Sequence, residues 1–337
     1  MPPLFDCFVE KFSVTLLLTY LLLKTSLRFW RSFPDFKTAV PELDVYVKME
    51  KKCSHVFVQG ICGNCGCGQR IDTICASQLG YIHKDYNVSI EDRDRIREFG
   101  LKNMLEKKKL YLILDLDHTL VHSVRKDQLS PDEKHLWNET NSLQDISNGS
   151  LCRFDSIKMI TKLRPFARTF LKEVSDMYEM YIYTRGSIKY ALNVAKLLDP
   201  GRNYFGSRVI SRDDCSSQEH GKNLDKVLAA ENAVVILDDE KSAWSENRQN
   251  LVIIQKYYYF AYKNKNVTPF ASMKDRSESD TGLIVSLNIL KHIHQMFFDG
   301  DVDEDFKNRD VREVMKRAQA EMCHPDRRVQ AEAFIFS

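Results

Sequence analysis

Three short apolar runs, each closed by a carboxylate or hydroxyl residue and separated by helical patterns, constrain the fold of this chain more than any other feature. Leu110-Tyr111-Leu112-Ile113-Leu114 leads into Asp115, Met180-Tyr181-Ile182-Tyr183 into Thr184, and Ala233-Val234-Val235-Ile236-Leu237 into Asp238-Asp239. Unbroken rather than alternating apolar character marks strands buried on both faces of a parallel sheet. A fourth run, Leu251 to Ile254, ends near Gln255. Pro165 sits where a helix can start, with Phe166, Phe170, Val174 and Met177 at helical spacing after it. Ser187 can cap the next helix, with Ile188, Ala191, Leu192, Ala195 and Leu198 on one face and Pro200-Gly201 as its stop. A third helix is expected around Asn223-Ala230. Strands alternating with helices predict an α/β fold, a doubly wound parallel sheet with helices on both faces, in which ligands bind at the carboxyl ends of the strands. Asp115, Asp117, Thr184, Asp238 and Asp239 then converge on one crevice.

The 337 residues suffice for one core of ordinary size plus smaller attachments. With 49 basic and 47 acidic side chains the net charge is +2, so the chain has no nucleic-acid footprint and no direct nucleic-acid binding is expected. Of nine cysteines, Cys53, Cys62, Cys65, Cys67 and Cys75 crowd into one stretch, which suits reduced thiols and a local metal site better than a disulfide framework. Cys53-x-His55 followed by Cys62-x-x-Cys65 offers four ligands of zinc type; a structural zinc and a metal-free set of thiols both stay open. Near the N-terminus, Val14 to Leu23 is apolar but short of the roughly 20 residues of a membrane span, and Asp6 and Glu10 spoil the basic region of a signal peptide. An anchor, a packed helix and an extension outside the functional unit are the alternatives for residues 1–40.

Charge and turn patterns mark an extension and linker (1–50), a Cys/His-rich segment (51–85), a charged helix (86–108) and a helical C-terminal extension (266–337), and the α/β domain is expected over 109–265, with bounds that follow the family resemblance given below. Within the domain the periodicity is lost from Ser123 to Lys162, so an insert is expected after the first strand.

Asp115-Leu116-Asp117-His118-Thr119-Leu120 places two carboxylates two residues apart at the end of a buried strand. Turns and helix caps also use Asp and Thr. Carboxylates so close, however, need a cation, a shared proton or a phosphoryl group to relieve their repulsion. The D-x-D-x-T pattern resembles the first motif of the haloacid-dehalogenase-like phosphotransferases, and the longer string Asp115 to Ser123 resembles their FCP-type protein phosphatase branch. Tyr183-Thr184-Arg185-Gly186-Ser187, Ser211-Arg212-Asp213-Asp214-Cys215, Gly221-Lys222-Asn223-Leu224, Asp238-Asp239 with Trp244, and Lys162-Leu163-Arg164-Pro165-Phe166 are similar to further strings of that family. Tyr81 to Lys84 and Asn308 to Arg312 resemble its plant C-terminal-domain-phosphatase-like subgroup.

The resemblance implies a protein-serine/threonine phosphatase with Asp115 as nucleophile, Asp117 as acid and base, and Thr184 and Lys222 on the phosphoryl group. Thr119, Tyr190 and Arg212 would contact substrate. A hard cation fits an all-oxygen site, and Mg2+ would take the Asp115 side chain, the Asp117 backbone carbonyl and the Asp239 side chain, with Asp238 beside them. The implied substrate is phosphoserine in the heptad-repeat tail of the RNA polymerase II largest subunit, and the implied site of action is the nucleus. Two rival readings are a membrane-anchored phosphatase like the Dullard group and a non-catalytic phosphopeptide-binding module. Larger family members continue into a BRCT domain, whereas this chain ends at Ser337.

Overall fold

A computed structural model describes residues 56–58, 61–62, 76–82, 86–142, 149–215, 221–261, 280–299 and 309–322. The chain divides into two compact units, residues 1–103 with 225–230 and residues 104–224 with 231–337. Cys53, His55 and Cys65 of the expected zinc set, and the apolar stretch from Val14 to Leu23, lie outside the described residues.

In the first unit, β1 (Val56–Val58), β2 (Ile61–Cys62), β3 (Ala76–Gln78) and β4 (Tyr86–Ser89) form an antiparallel sheet in the order β2-β1-β4-β3. The charged helix α1 (Ile90–Glu106) follows β4 directly. Residues 225–230 belong to this unit through side chains: the Arg97 guanidinium donates to the Val227 carbonyl at 3.0 and 3.1 Å, and Arg93 pairs with Asp225 at 2.8 Å. Leu228 packs on Leu79, Tyr81, Ile82 and Ile96. The helix expected over 223–230 is therefore not formed; Leu224–Lys226 makes one 3-10 turn, and side-chain donors replace the helical ladder.

The second unit is built on five parallel strands, β5 (Leu110–Leu114), β9 (Tyr178–Tyr183), β10 (Val209–Ile210), β11 (Val234–Asp238) and β12 (Leu251–Ile253), in the order β10-β9-β5-β11-β12. Central β5 is buried along its whole length, as its unbroken apolar run predicts. It pairs Leu112 with Met180 on one side and with Val235 on the other. The winding reverses between β5 and β11, and in open α/β sheets that reversal opens a crevice at the strand ends. Helices α3 (Ala167–Ser175), α4 (Ile188–Leu198), α5 (Gly282–Phe298) and α6 (Val311–Met322) complete the unit, with α5 packed against α3 and α6.

The insert has more order than the sequence pattern predicts. Strands β6 (Val121–Arg125), β7 (Leu151–Phe154) and β8 (Met159–Leu163) form an antiparallel sheet in the order β6-β8-β7, with a short helix α2 (Lys134–Glu139) before β7. Its core is Val124, Leu129, Trp137, Ile160 and Phe260. Helix α3 starts two residues after Pro165 because Phe166 takes a left-handed φ of 68° and closes a turn from Arg164. Ser187 caps α4 as expected, its hydroxyl accepting from the Tyr190 N–H. The buried face of α4 is Tyr190, Ala191, Val194, Leu197 and Leu198, whereas Leu192, expected on that face, is exposed. No helix among the described residues is long and apolar enough to cross a membrane.

Candidate active site

The loop leaving β5 is wound by its own backbone. The N–H groups of Thr119, Leu120 and Val121 all donate to the Leu116 carbonyl, and His118 adopts a φ of 65°. This turn holds Asp115 and Asp117 above the strand end. The Asp115 N–H donates to the Leu237 carbonyl at 3.1 Å, which fixes the end of β5 against β11 and brings Asp238 and Asp239 alongside. Carboxylate oxygens of Asp115, Asp238 and Asp239 all lie within 4.8 Å of one another, the arrangement of a cation site.

Lys222 supplies the opposing charge. It is buried, its Nζ 2.5 Å from Asp115 Oδ1 and 2.7 Å from Asp238 Oδ2, with its ammonium over the rings of Tyr183 and Trp244. The Trp244 indole donates to the same Asp238 oxygen at 2.7 Å, and the Glu240 N–H donates to its other oxygen at 2.8 Å. Asp238 thus accepts three hydrogen bonds, two of them on Oδ2, and in this geometry it holds Lys222 in place.

Asp117 is held from the insert side. The Tyr190 hydroxyl donates to Asp117 Oδ1 at 2.6 Å. Ser123 Oγ lies 2.7 Å from that phenol oxygen and 2.8 Å from Thr161 Oγ1. Since the phenol proton goes to Asp117, the only consistent order is Thr161 to Ser123 to Tyr190 to Asp117. Gly186 permits this, because a side chain there would collide with the Tyr190 ring. Thr119 Oγ1 donates to Asp239 Oδ1 at 3.0 Å, and Thr184, buried, accepts from the Gly186 N–H at 3.0 Å. Arg212 is exposed at the start of a 3-10 turn and shares none of these contacts.

Burial pushes the Asp115 carboxyl well above its ordinary range; Lys222 opposes the rise, and Asp238, Asp239 and Asp117 add to it. Burial raises Asp117 as well, against the Tyr190 hydrogen bond, and burial with the Asp238 charge raises Asp239. Burial alone would lower Lys222, but Asp115 and Asp238 outweigh it and hold the ammonium charged. A cluster of carboxylates that resists full ionisation beside one fixed cation is suited to a second cation and to a proton-carrying acid.

Two supports carry no role in the sequence reading. Arg164, buried, donates to the carbonyls of Thr119 at 3.1 Å and His118 at 3.4 Å, while Asp280 takes its other nitrogens at 2.9 and 3.1 Å. Lys256 lies 3.4 Å from Asp239 and 2.7 Å from Glu240. The signal for Lys256 was the fourth apolar run, which ends two residues before it: the segment past a strand's carboxyl end borders the crevice.

Comparison with known proteins places this geometry. The profile of the NLI interacting factor-like phosphatase family matches residues 110–297, which includes α5. RNA polymerase II C-terminal domain phosphatase-like 4 of Arabidopsis thaliana is 43% identical over 266 residues, covering 76% of this chain and 59% of that protein. RNA polymerase II C-terminal domain phosphatase-like 3 of the same plant is 35% identical over 220 residues, covering 61% of this chain and 18% of that protein. The chain thus spans less than two thirds of either relative. The structure of Fcp1, an essential RNA polymerase II CTD phosphatase, superposes with a TM-score of 0.53 at 24% identity, covering 66% of this chain and 74% of that one, which shows the shared haloacid-dehalogenase-like fold. With the profile spanning the sheet, the insert and every carboxylate of the crevice, the chain belongs to the NLI interacting factor-like phosphatase family.

Proposed function

We propose that this chain is a Mg2+-dependent protein serine phosphatase that acts in the nucleus on the heptad-repeat tail of the RNA polymerase II largest subunit. The observation that carries this reading is the meeting of Asp115, Asp117 and Lys222 at the reversal of the sheet, in a chain whose relatives bear the name of that phosphatase. The three carboxylates make an all-oxygen donor set, which suits Mg2+. Held by Asp115, Asp239 and the Asp117 backbone carbonyl, it would neutralise charge between the attacking carboxylate and the phosphoryl oxygens.

The remaining work falls to side chains. A carboxylate oxygen of Asp115 forms a bond to phosphorus as the bond to the seryl oxygen breaks, giving an aspartyl-phosphate. Asp117, its carboxyl raised above the ordinary range by burial and oriented by Tyr190, gives its proton to the departing seryl oxygen. Lys222 stabilises the negative charge on the transferring group. Water then attacks phosphorus, Asp117 takes its proton, and the bond to Asp115 breaks, releasing phosphate and restoring both carboxyl groups.

Phosphate release from a singly phosphorylated heptad-repeat peptide tests the proposal. Release with Mg2+ that disappears in Asp115→Asn and with chelator is expected. Tight peptide binding with no release by the wild type would instead favour a binding module.

A further inference from the structure

The string from Asp115 to Ser123 carries two histidines, His118 and His122, that the phosphoryl chemistry does not use. Both hold the segment that follows β12. The His118 carbonyl accepts from the Tyr257 N–H at 2.8 Å, and its ring Nδ1 lies 2.9 Å from the Tyr257 carbonyl, to which it donates. His122 Nδ1 accepts from two successive N–H groups, Tyr259 at 2.8 Å and Phe260 at 3.0 Å. The Ala261 N–H donates to Glu133 at 2.6 Å and the Ile254 N–H to the Asp238 carbonyl at 3.1 Å. Residues 254–261 are thereby pinned from end to end.

The side chain this strap delivers to the crevice is Lys256. Its ammonium faces Asp239 Oδ2, while the other Asp239 oxygen is taken by Thr119. Glu240 draws the same ammonium to the opposite side at 2.7 Å, and Glu240 is itself fixed by Ser242 at 2.8 Å and by its backbone bond to Asp238. Lys222 is enclosed between two carboxylates, with 3% of its side chain exposed, but the Lys256 side chain is 35% exposed and has room to move. The two lysines therefore differ in kind: one is built into the site, the other is tethered at its rim.

We propose that Lys256 is a tethered counter-ion of Asp239 that sets the divalent-cation affinity of the carboxylate cluster, with Glu240 as the restraint that holds it partly away. The inference rests on the reading of Asp115 and Asp239 as Mg2+ ligands. An ammonium against a ligating carboxylate satisfies part of its charge and repels an incoming cation, so it weakens binding. A carboxylate that draws the ammonium aside restores affinity. Lys256 acts through Asp239 and is a positioning residue.

Calorimetric titration of Mg2+ into the full chain tests this without measuring turnover. Lys256→Met is expected to bind Mg2+ about tenfold more tightly than the wild type, Lys256→Arg close to the wild type, and Glu240→Gln about tenfold more weakly. Unchanged or weaker binding by Lys256→Met, with wild-type binding intact and native circular dichroism, overturns this inference alone. No Mg2+ binding by the wild type or any variant overturns the metal reading and this inference with it.

Discussion

At the scale of single residues, the carboxyl proposed to attack and the one proposed to carry a proton have different neighbours. Asp115 faces a buried ammonium, whereas Asp117 accepts a hydrogen bond from the Tyr190 phenol, the end of a hydroxyl chain that begins in the insert. Tyr190→Phe removes one hydrogen bond to an ionisable group, worth about 1.5–3 kcal/mol. The expected result is a fall in kcat of about tenfold or more with little change in KM, read by steady-state kinetics on the phosphopeptide. Lys222→Met leaves Asp115 and Asp238 without their cation and should abolish turnover. It should also destabilise the fold by about 3–5 kcal/mol in urea titration, the usual cost of leaving a buried charge uncompensated. The acids and Lys222 were legible in the sequence because each stands at a strand end or in an ordered motif. The contact between Tyr190 and Asp117 was not, since it depends on the rotation of α4. Leu192 looks like a core residue by spacing yet is 52% exposed, while Tyr190 turns inward.

At the scale of elements, the catalytic loop is held from outside by a clamp and a strap. The Arg164 guanidinium bridges the loop carbonyls to Asp280 at the start of α5, and a side chain at Gly282 would collide with it. Asp280→Ala is expected to cost about 3–5 kcal/mol in urea titration, because it strands a buried cation. In the strap, burial lowers the His122 pKa to about 3, and the adjacent His118 adds to that shift. The folded state thus keeps this ring neutral while the unfolded chain protonates it near 6.5. Its contribution to stability is therefore present above about pH 6.5 and lost as pH falls from there toward about 3. His122→Gln, which can still accept from the strap amides, should flatten the decline in stability between about pH 6.5 and 4; an unchanged slope would show that His122 does not drive it. Parallel strands β5, β9, β11 and β12 were readable because they are continuous apolar runs, whereas β10, only Val209–Ile210, is too short to stand out. The sheet of the insert was not readable, since its strands mix buried and partly buried positions instead of forming apolar runs, and the segment 223–230 reads as helix although Arg93 and Arg97 hold residues 225–230 from the side.

At the scale of the whole molecule, helix α5, past residue 265, is not an appendage to the second unit. Leu283, Leu287, Leu290, Ile293 and Phe297 of α5 are buried, and Tyr178 of β9 donates to the Leu290 carbonyl at 2.7 Å. A fragment ending at residue 265 should lose its cooperative thermal transition, whereas one ending at 322 should keep it; cooperative melting of the shorter fragment would make α5 dispensable. The 109–265 bounds followed the family strings, which end near Tyr262, and a long polar stretch separates α5 from the last strand. The central claim is that Asp115 carries the phosphoryl group between substrate and water. Acid quenching during turnover of the phosphopeptide, followed by mass spectrometry of the fragment containing Asp115, tests it most directly. A phosphoryl adduct on Asp115 that disappears in Asp115→Asn together with phosphate release is expected; phosphate release by Asp115→Asn at the wild-type rate, with no adduct on the wild type, would rule out that role for Asp115.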